Sequence, residues 1–295
     1  MPEKQKNKNS FTFAEFLFGI RGRTVLFLAA TVLLCLGGIL LAWHLHPEQG
    51  RDSIQYITLI EEWHRGGLVL LLQRWPQCWF PPLYFYLAQL FMYPGLSAEC
   101  AGVWLSMICG ALVPAVVFGI SYEITRETRL SLASALLAAV NPTLVELSCR
   151  VQRDVPYLFF AALVLYFLLA GVRRKKWYLF LLSGGFCSAA ILIRYEAAEF
   201  LLLVLLSAVI SLIRKQDKWY IVLRNMFLFS AAFVLSLLFW QQTLDSDDAK
   251  MTNNYFSRWK KYSLMFFFSK SRQSPLPQAS VPPGRQKKTK QEADK

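Results

Sequence analysis

Charged side chains are few in this sequence. They make up 17% of 295 residues, against 55% hydrophobic residues, a balance that suits lipid better than the surface of an ordinary soluble domain. Histidines number three, and they make no metal site by spacing. His44 and His46 straddle the end of one apolar run, His64 lies well beyond, and no cysteine or second acidic ligand follows at short range; interface histidines are the better account. The sequence has no glycine-rich phosphate loop and no G-x-S-x-G, the local signatures of nucleotide binding and of a serine hydrolase. Six cysteines do not make a disulfide framework, because Cys35, Cys109 and Cys187 fall in the middle of apolar runs. Cys78, Cys100 and Cys149 lie near one membrane face, leaving Cys78–Cys100 as an open pairing.

What the sequence has is blocks. Its apolar residues do not recur at the periods of 2 or 3.6 that one-sided burial requires. Residues 24–43 are 20 positions without a charge and 101–122 are 22. A helix rises about 1.5 Å per residue, so roughly 20 residues cross a hydrocarbon core of about 30 Å. The first block follows 23 residues, is longer than a signal-peptide core and has no small-x-small cleavage site after it, so it reads as an uncleaved signal anchor. Further helices are predicted at 130–149, 155–172, 177–193, 197–213 and 220–240, the last three short or charged near one end. The expectation is an all-α integral membrane protein of about seven spans with interfacial helices in its first outer loop, 44–100. A basic arm, 1–23, precedes this domain of 24–243, and a polar, basic tail rich in Pro, Lys and Gln, 244–295, follows it.

Loop charge orients the chain. The stretch 80–93 is only 14 residues, opens with Pro81-Pro82 and is rich in aromatics, so it reads as a helix lying in the interface. With that stretch not crossing, Lys4, Arg21, Arg126, Arg129, the 173–176 run and Arg214 to Lys218 all fall on one side. This is the positive-inside pattern and puts the N-terminus in the cytoplasm. The net charge of +13 is therefore assigned to topology and anionic headgroups, and nucleic-acid binding is not expected. The basic tail falls by parity on the outer side, against that bias.

The opposite face collects three charged junctions. Asp52 opens an apolar-spaced helical stretch through Ile54, Ile57, Ile60 and Trp63, where it reads either as an N-cap or as a general base or metal ligand. Arg150, Arg153 and Asp154 sit between two spans with almost no loop; they read either as local ion pairs ending the helices, Arg153–Asp154 or Arg150–Asp154, or as groups facing water. Arg194-Tyr195-Glu196, with Glu199 one turn on, form the third junction. An Arg194–Glu196 bridge is the plainer account there, and an i to i+4 pair with Arg150 explains Glu146. The Asp245-Ser246-Asp247-Asp248 cluster reads as a solvated acidic loop before a divalent cation site.

The order of these landmarks resembles the GT-C superfamily, the membrane glycosyltransferases of the protein mannosyltransferase and aminoarabinose transferase type, families 39 and 83. The resembling features are an acidic residue early in the first outer loop, Gly66-Gly67 ending a helix, and Pro81-Pro82-Leu83-Tyr84-Phe85-Tyr86. Arg153-Asp154-Val155-Pro156 before a span and Leu182-Ser183-Gly184-Gly185-Phe186 running on to Arg194-Tyr195-Glu196 complete the set. The resemblance implies transfer of a hexose or pentose from a polyprenyl-phosphate donor to a protein, lipid or glycan acceptor at the extracytoplasmic face, in cell-envelope glycosylation at a bacterial-type plasma membrane. It implies Asp52 and Asp154 as catalytic carboxylates, and Arg153, Arg194, Tyr56 and Glu196 as substrate-binding residues. A divalent cation is neither required nor excluded by the sequence. Two departures stand out: Arg51 and Ser53 flank Asp52 where the family often has paired acids, and Phe80 replaces a Lys or His before the Pro-Pro step. The chain also looks shortened at its C-terminus. Two other classes stay open: a transporter or flippase for a lipid or small solute, although no internal repeat is evident, and a non-catalytic relative acting as an assembly subunit.

Overall fold

A computed structural model of the chain describes residues 22–45, 49–74, 81–214 and 218–245, so most of the basic arm and of the polar tail, with Asp247 and Asp248, and His46 and Cys78 of the first outer loop lie outside the described residues. Among these, all regular structure is helical. The helices are α1 (Gly22–Leu45), α2 (Arg51–Arg74), α3 (Leu83–Met92), α4 (Ala98–Thr125), α5 (Thr128–Ala139), α6 (Pro142–Ser148), α7 (Asp154–Arg174), α8 (Trp177–Ile191), α9 (Glu199–Ile213) and α10 (Trp219–Asp245), with a 3₁₀ turn at Tyr195–Ala198 before α9.

Among the described residues, five helical stretches are long and apolar enough to cross a membrane: α1, α4, α7, Tyr195–Ile213 and α10. The chain is thus an all-α integral membrane protein. The span expected at 130–149 is a bent pair: α5 and α6 meet at 52°. Pro142 is the cause, since it donates no hydrogen bond and pushes the residue before it out of the helical region. Asn141 is accordingly extended, and its side chain accepts a hydrogen bond from Leu144 N at 3.1 Å, capping α6. The span expected at 177–193 is α8, a helix of only 15 residues. Helix α3 has 10 residues, about 15 Å of rise, and lies against α2 and α4, in keeping with an interfacial rather than a crossing segment.

Helix α4 is the centre of the bundle. Two thirds of its apolar stretch is buried, against 11% for α10 and 17% for α1, and it packs on α1, α3, α5 and α7. Small residues permit the close approaches that lipid-embedded helices need in place of a hydrophobic driving force. A methyl on Gly110 of α4 would run into the Ser148 side chain, and one on Gly184 of α8 into the backbone carbonyl of Phe229 in α10. The α7–α8 turn and the end of α4 each close on a left-handed residue, Lys175 (φ 56°) and Arg126 (φ 60°).

The bundle has two chemically different ends. At one, Glu123 is completely buried at the foot of α4. Its carboxylate takes Arg174 Nε at 2.6 Å and Arg126 at 2.7 Å, and Arg173 donates to Ile124 O at 2.9 Å. Glu123 escapes a reading of the sequence because the basic residues around it read as topology signals alone. At the other end, backbone ties draw the three charged junctions together.

Candidate active site

Each junction is held by a contact between segments far apart in sequence. Gln49, just ahead of α2, spans the α6–α7 junction: its side-chain carbonyl accepts from Val151 N at 3.0 Å and its amide donates to Cys149 O at 3.5 Å. Ser106 of α4 donates to Gln152 O at 3.2 Å. Leu83 N at the start of α3 donates to Leu192 O at the end of α8 (3.0 Å). Buried backbone groups need such partners, and satisfying them across junctions fixes the junctions relative to one another. Neither Gln49 nor Ser106 carries a sequence signal, since a lone glutamine ahead of a helix and a lone serine inside an apolar helix are both common.

The ion pairs differ from those that local spacing suggests. Arg150 pairs with Glu146 at 2.7 Å, four residues back, as expected. Asp154, however, finds a partner far from its own junction. It opens α7 in the first turn and forms its ion pair with Nη1 of Arg194. Arg194 sits in extended backbone between α8 and the 3₁₀ turn. Its Nη2 donates to Glu196 Oε1 at 2.9 Å, and its guanidinium lies over the Tyr157 ring, 5.5 Å from the centroid. The Glu196 bridge is thus the expected one, while the Asp154 bridge is not local at all.

Helix α2 brings the first loop to this cluster. Arg51 is its first residue, and Gly50 stands in the capping position, its carbonyl accepting Ile54 N at 3.2 Å. Asp52 is therefore not the cap; it lies exposed in the first turn, where the helix dipole favours a carboxylate. One turn on, Tyr56 is buried, edge-on to Tyr84 of α3 at 5.7 Å and beneath Arg153 at 6.0 Å. Burial pushes the Tyr56 phenol above its usual range; Arg153 and Arg194 pull it down, while Asp52 and Glu196 push it further up. Tyr56 thus feels the charges of four of the sequence-predicted site residues. Tyr84, fully buried, is raised by burial as well, and its hydroxyl has no hydrogen-bond partner among the described residues.

All six predicted residues, Asp52, Tyr56, Arg153, Asp154, Arg194 and Glu196, therefore lie at one end of the bundle. Tyr157 joins them through Arg194, one turn into α7, where a tyrosine reads from sequence as an interface aromatic. His64 stands apart, bonded to Gln89 at 2.9 Å, and among the described residues no group of three or more His, Cys, Asp or Glu side chains gathers around one point. Asp154 also lines a groove of about 500 Å³. The groove runs between Val113 and Val117 of α4, Asn141 and Leu144 of the bent pair, and Val155 and Leu158 of α7. Its walls are mostly apolar, with Asn141 and Thr143 as polar members, and the 52° bend separates α6 from the line of α5 beside it.

Chemically, the end of the bundle offers carboxylates, two guanidiniums and an apolar groove at one place. The sequence profile of the family described as dolichyl-phosphate-mannose-protein mannosyltransferase matches residues 80–240. The match covers more than half of the chain and includes Arg153, Asp154, Arg194 and Glu196, while Asp52 and Tyr56 precede it. No curated protein and no solved structure matches the chain.

Proposed function

The chain belongs to the dolichyl-phosphate-mannose-protein mannosyltransferase family, membrane glycosyltransferases of the GT-C type, and from that premise we propose that it moves a sugar from a polyprenyl-phosphate donor to an acceptor at the extracytoplasmic face. Such a reaction needs a place for a lipid chain, cations for the departing phosphate and a base for the acceptor. The observation that carries the reading is the convergence on Arg194: a guanidinium from the α8–α9 junction meets Asp154 of α7, which also lines a mostly apolar groove, with Tyr56 of α2 within reach of its charge.

In this reading the polyprenyl chain lies in the groove along α4 and α7, and the phosphate takes its place between Arg153 and Arg194. A guanidinium presents a fork that matches phosphate oxygens. Asp52, exposed at the start of α2, accepts the proton of the acceptor hydroxyl or amine as the acceptor attacks the anomeric carbon and the bond to the phosphate breaks. A single displacement of this kind inverts the anomeric centre. Asp154 holds Arg194 and faces the groove, and Tyr56, kept as a neutral phenol by burial, offers a hydrogen bond to the sugar or phosphate.

The test is Asp52→Asn. The variant should insert and fold as the native protein does, and sugar transfer to the acceptor in membranes should be lost, as mass spectrometry of lipid-linked sugars and surface glycans would read. Full transfer by that variant removes Asp52 as the base.

A further inference from the structure

Arg194 uses its hydrogen-bonding edge unevenly. Nη1 belongs to Asp154 and Nη2 to Glu196 at 2.9 Å, while Nε, buried from solvent, has no hydrogen-bond partner among the described residues. The Nε–Nη2 side of a guanidinium is a two-pronged donor that suits two oxygens of one phosphate. Here one prong is idle and the other is held by a carboxylate from two residues away.

We propose that Glu196 is a stand-in for the donor phosphate: it occupies half of the phosphate-binding edge of Arg194 and must leave when a polyprenyl phosphate arrives. Resting on the reading of Arg194 as a phosphate-binding residue, this changes the part of Glu196 from substrate binding to competition with substrate. The arriving phosphate takes Nε and Nη2 together, which satisfies the idle Nε and displaces the Glu196 carboxylate. Asp154 keeps Nη1, and the Tyr157 ring beneath the guanidinium holds its plane, so the arginine does not move when its partner changes. Glu196 sits on the 3₁₀ turn Tyr195–Ala198 with about a third of its side chain exposed, so it can swing to water without disturbing a packed element.

The charge balance points the same way. Around Arg194 itself, Asp154 and Glu196 set two carboxylates against one guanidinium. An anionic donor enters such a place only by displacing negative charge from the guanidinium it needs. Glu196 is the carboxylate that shares the donor's edge; Asp154 is on the other nitrogen. The exchange also favours product release: as transfer ends, Glu196 returns to Nη2 and helps the polyprenyl phosphate to depart.

The experiment is direct binding of undecaprenyl monophosphate to the full-length protein in detergent or nanodiscs, with undecaprenol as the phosphate-free control. In Glu196→Gln the amide competes weakly for Nη2, so the phosphate should bind about three- to tenfold more tightly than to the native protein, while undecaprenol binding stays level. The KM for the sugar donor should fall with it, and kcat should fall or hold as release slows. Damage to the fold does not tighten a ligand, so the sign of the change separates competition from a structural role. Unchanged or weaker binding in a monodisperse Glu196→Gln, with Glu196→Ala agreeing, overturns the proposal. The Asp52→Asn background should show the same tightening without turnover, so a mistaken base does not disturb this result. If Arg194→Gln also leaves phosphate binding unaltered, the reading of Arg194 itself falls, and the proposal with it; if Arg194→Gln abolishes binding while Glu196→Gln does nothing, only the competition is wrong.

Discussion

Arg194 and Asp154 form an ion pair across two junctions that are forty residues apart in sequence. The pair joins the start of α7 to the end of α8, and its two halves are further fixed by Glu196 and by the Tyr157 ring. It converts two charged helix ends, each of which could have been a private salt bridge, into one electrostatic unit beside the groove.

Asp154→Asn should separate catalysis from stability. Arg194 would retain Glu196 and Tyr157, and both pair members are partly exposed to solvent, with side-chain exposures of 26% and 39%, so the ion pair contributes no more than about 1 kcal/mol. Sugar transfer should fall by about a hundredfold, the scale of misplacing the guanidinium that receives the phosphate. Parallel transfer assays and thermal unfolding in detergent would measure the two; undiminished transfer would show that Asp154 only ends a helix.

Tyr56 gives a prediction about alkaline stability. Burial raises its pKa in the folded protein, and Tyr84, its edge-on neighbour, is raised too. A raised folded value means that stability is fully present below the ordinary phenol value of about 10 and is lost as pH rises through the higher one. The native protein should therefore lose Tm above about pH 10 more steeply than Tyr56→Phe, with the double Tyr56→Phe, Tyr84→Phe variant flatter still. Equal slopes in all three would mean that neither phenol is shielded from water.

Much of the fold was legible because lipid imposes a simple demand: runs of apolar residues long enough to cross. The ends of α1, α4, α7 and α10 fall within a few residues of the apolar blocks. The bend between α5 and α6 is signalled by Asn141-Pro142, a helix-stopping dipeptide, but a composition reading runs through it because the residues on both sides are apolar. At the site, residue types were legible and pairings only in part. Arg150 with Glu146 and Arg194 with Glu196 are local and follow from spacing. The partner of Asp154 depends on α8 lying against α7 and on Leu83 tying α3 to the end of α8, and spacing along one chain contains no trace of that. Gln49 and Ser106 were hidden for the same reason: they bond backbone groups of a distant junction.

The opposite end makes its own prediction. Glu123 is the only acidic partner of Arg174 and Arg126 among the described ion pairs, and its side chain has no exposure at all. In Glu123→Gln two arginines lose their carboxylate, and a buried amide replaces a buried charge. The cost should be about 1 to 3 kcal/mol, below the full value for a wholly buried pair because Arg126 is nearly half exposed. Thermal unfolding would register it, while transfer per folded molecule should stay near the native level, because the cluster around Arg194 is at the far end of α7. A loss of transfer in protein that is still folded would mean that the clamp sets the position of Asp154 through the length of the helix.

Orientation is the premise on which the site's chemistry depends, and cysteine labelling in intact cells tests it. With α3 lying in the interface, the turn at Lys175 faces the cytoplasm and Tyr93, which is exposed, faces out. Helix α3 spans 10 residues, about half the thickness of a hydrocarbon core, and the positive-inside bias favours the same arrangement. In a background lacking the partly exposed Cys100, a cysteine at Lys175 should be protected from a membrane-impermeant reagent until the cells are opened, and one at Tyr93 should react at once. Reaction at position 175 in sealed cells would put the Glu123 end outside. Asp154 and Arg194 would then face the cytoplasm, and an acceptor on the outer surface could not reach them.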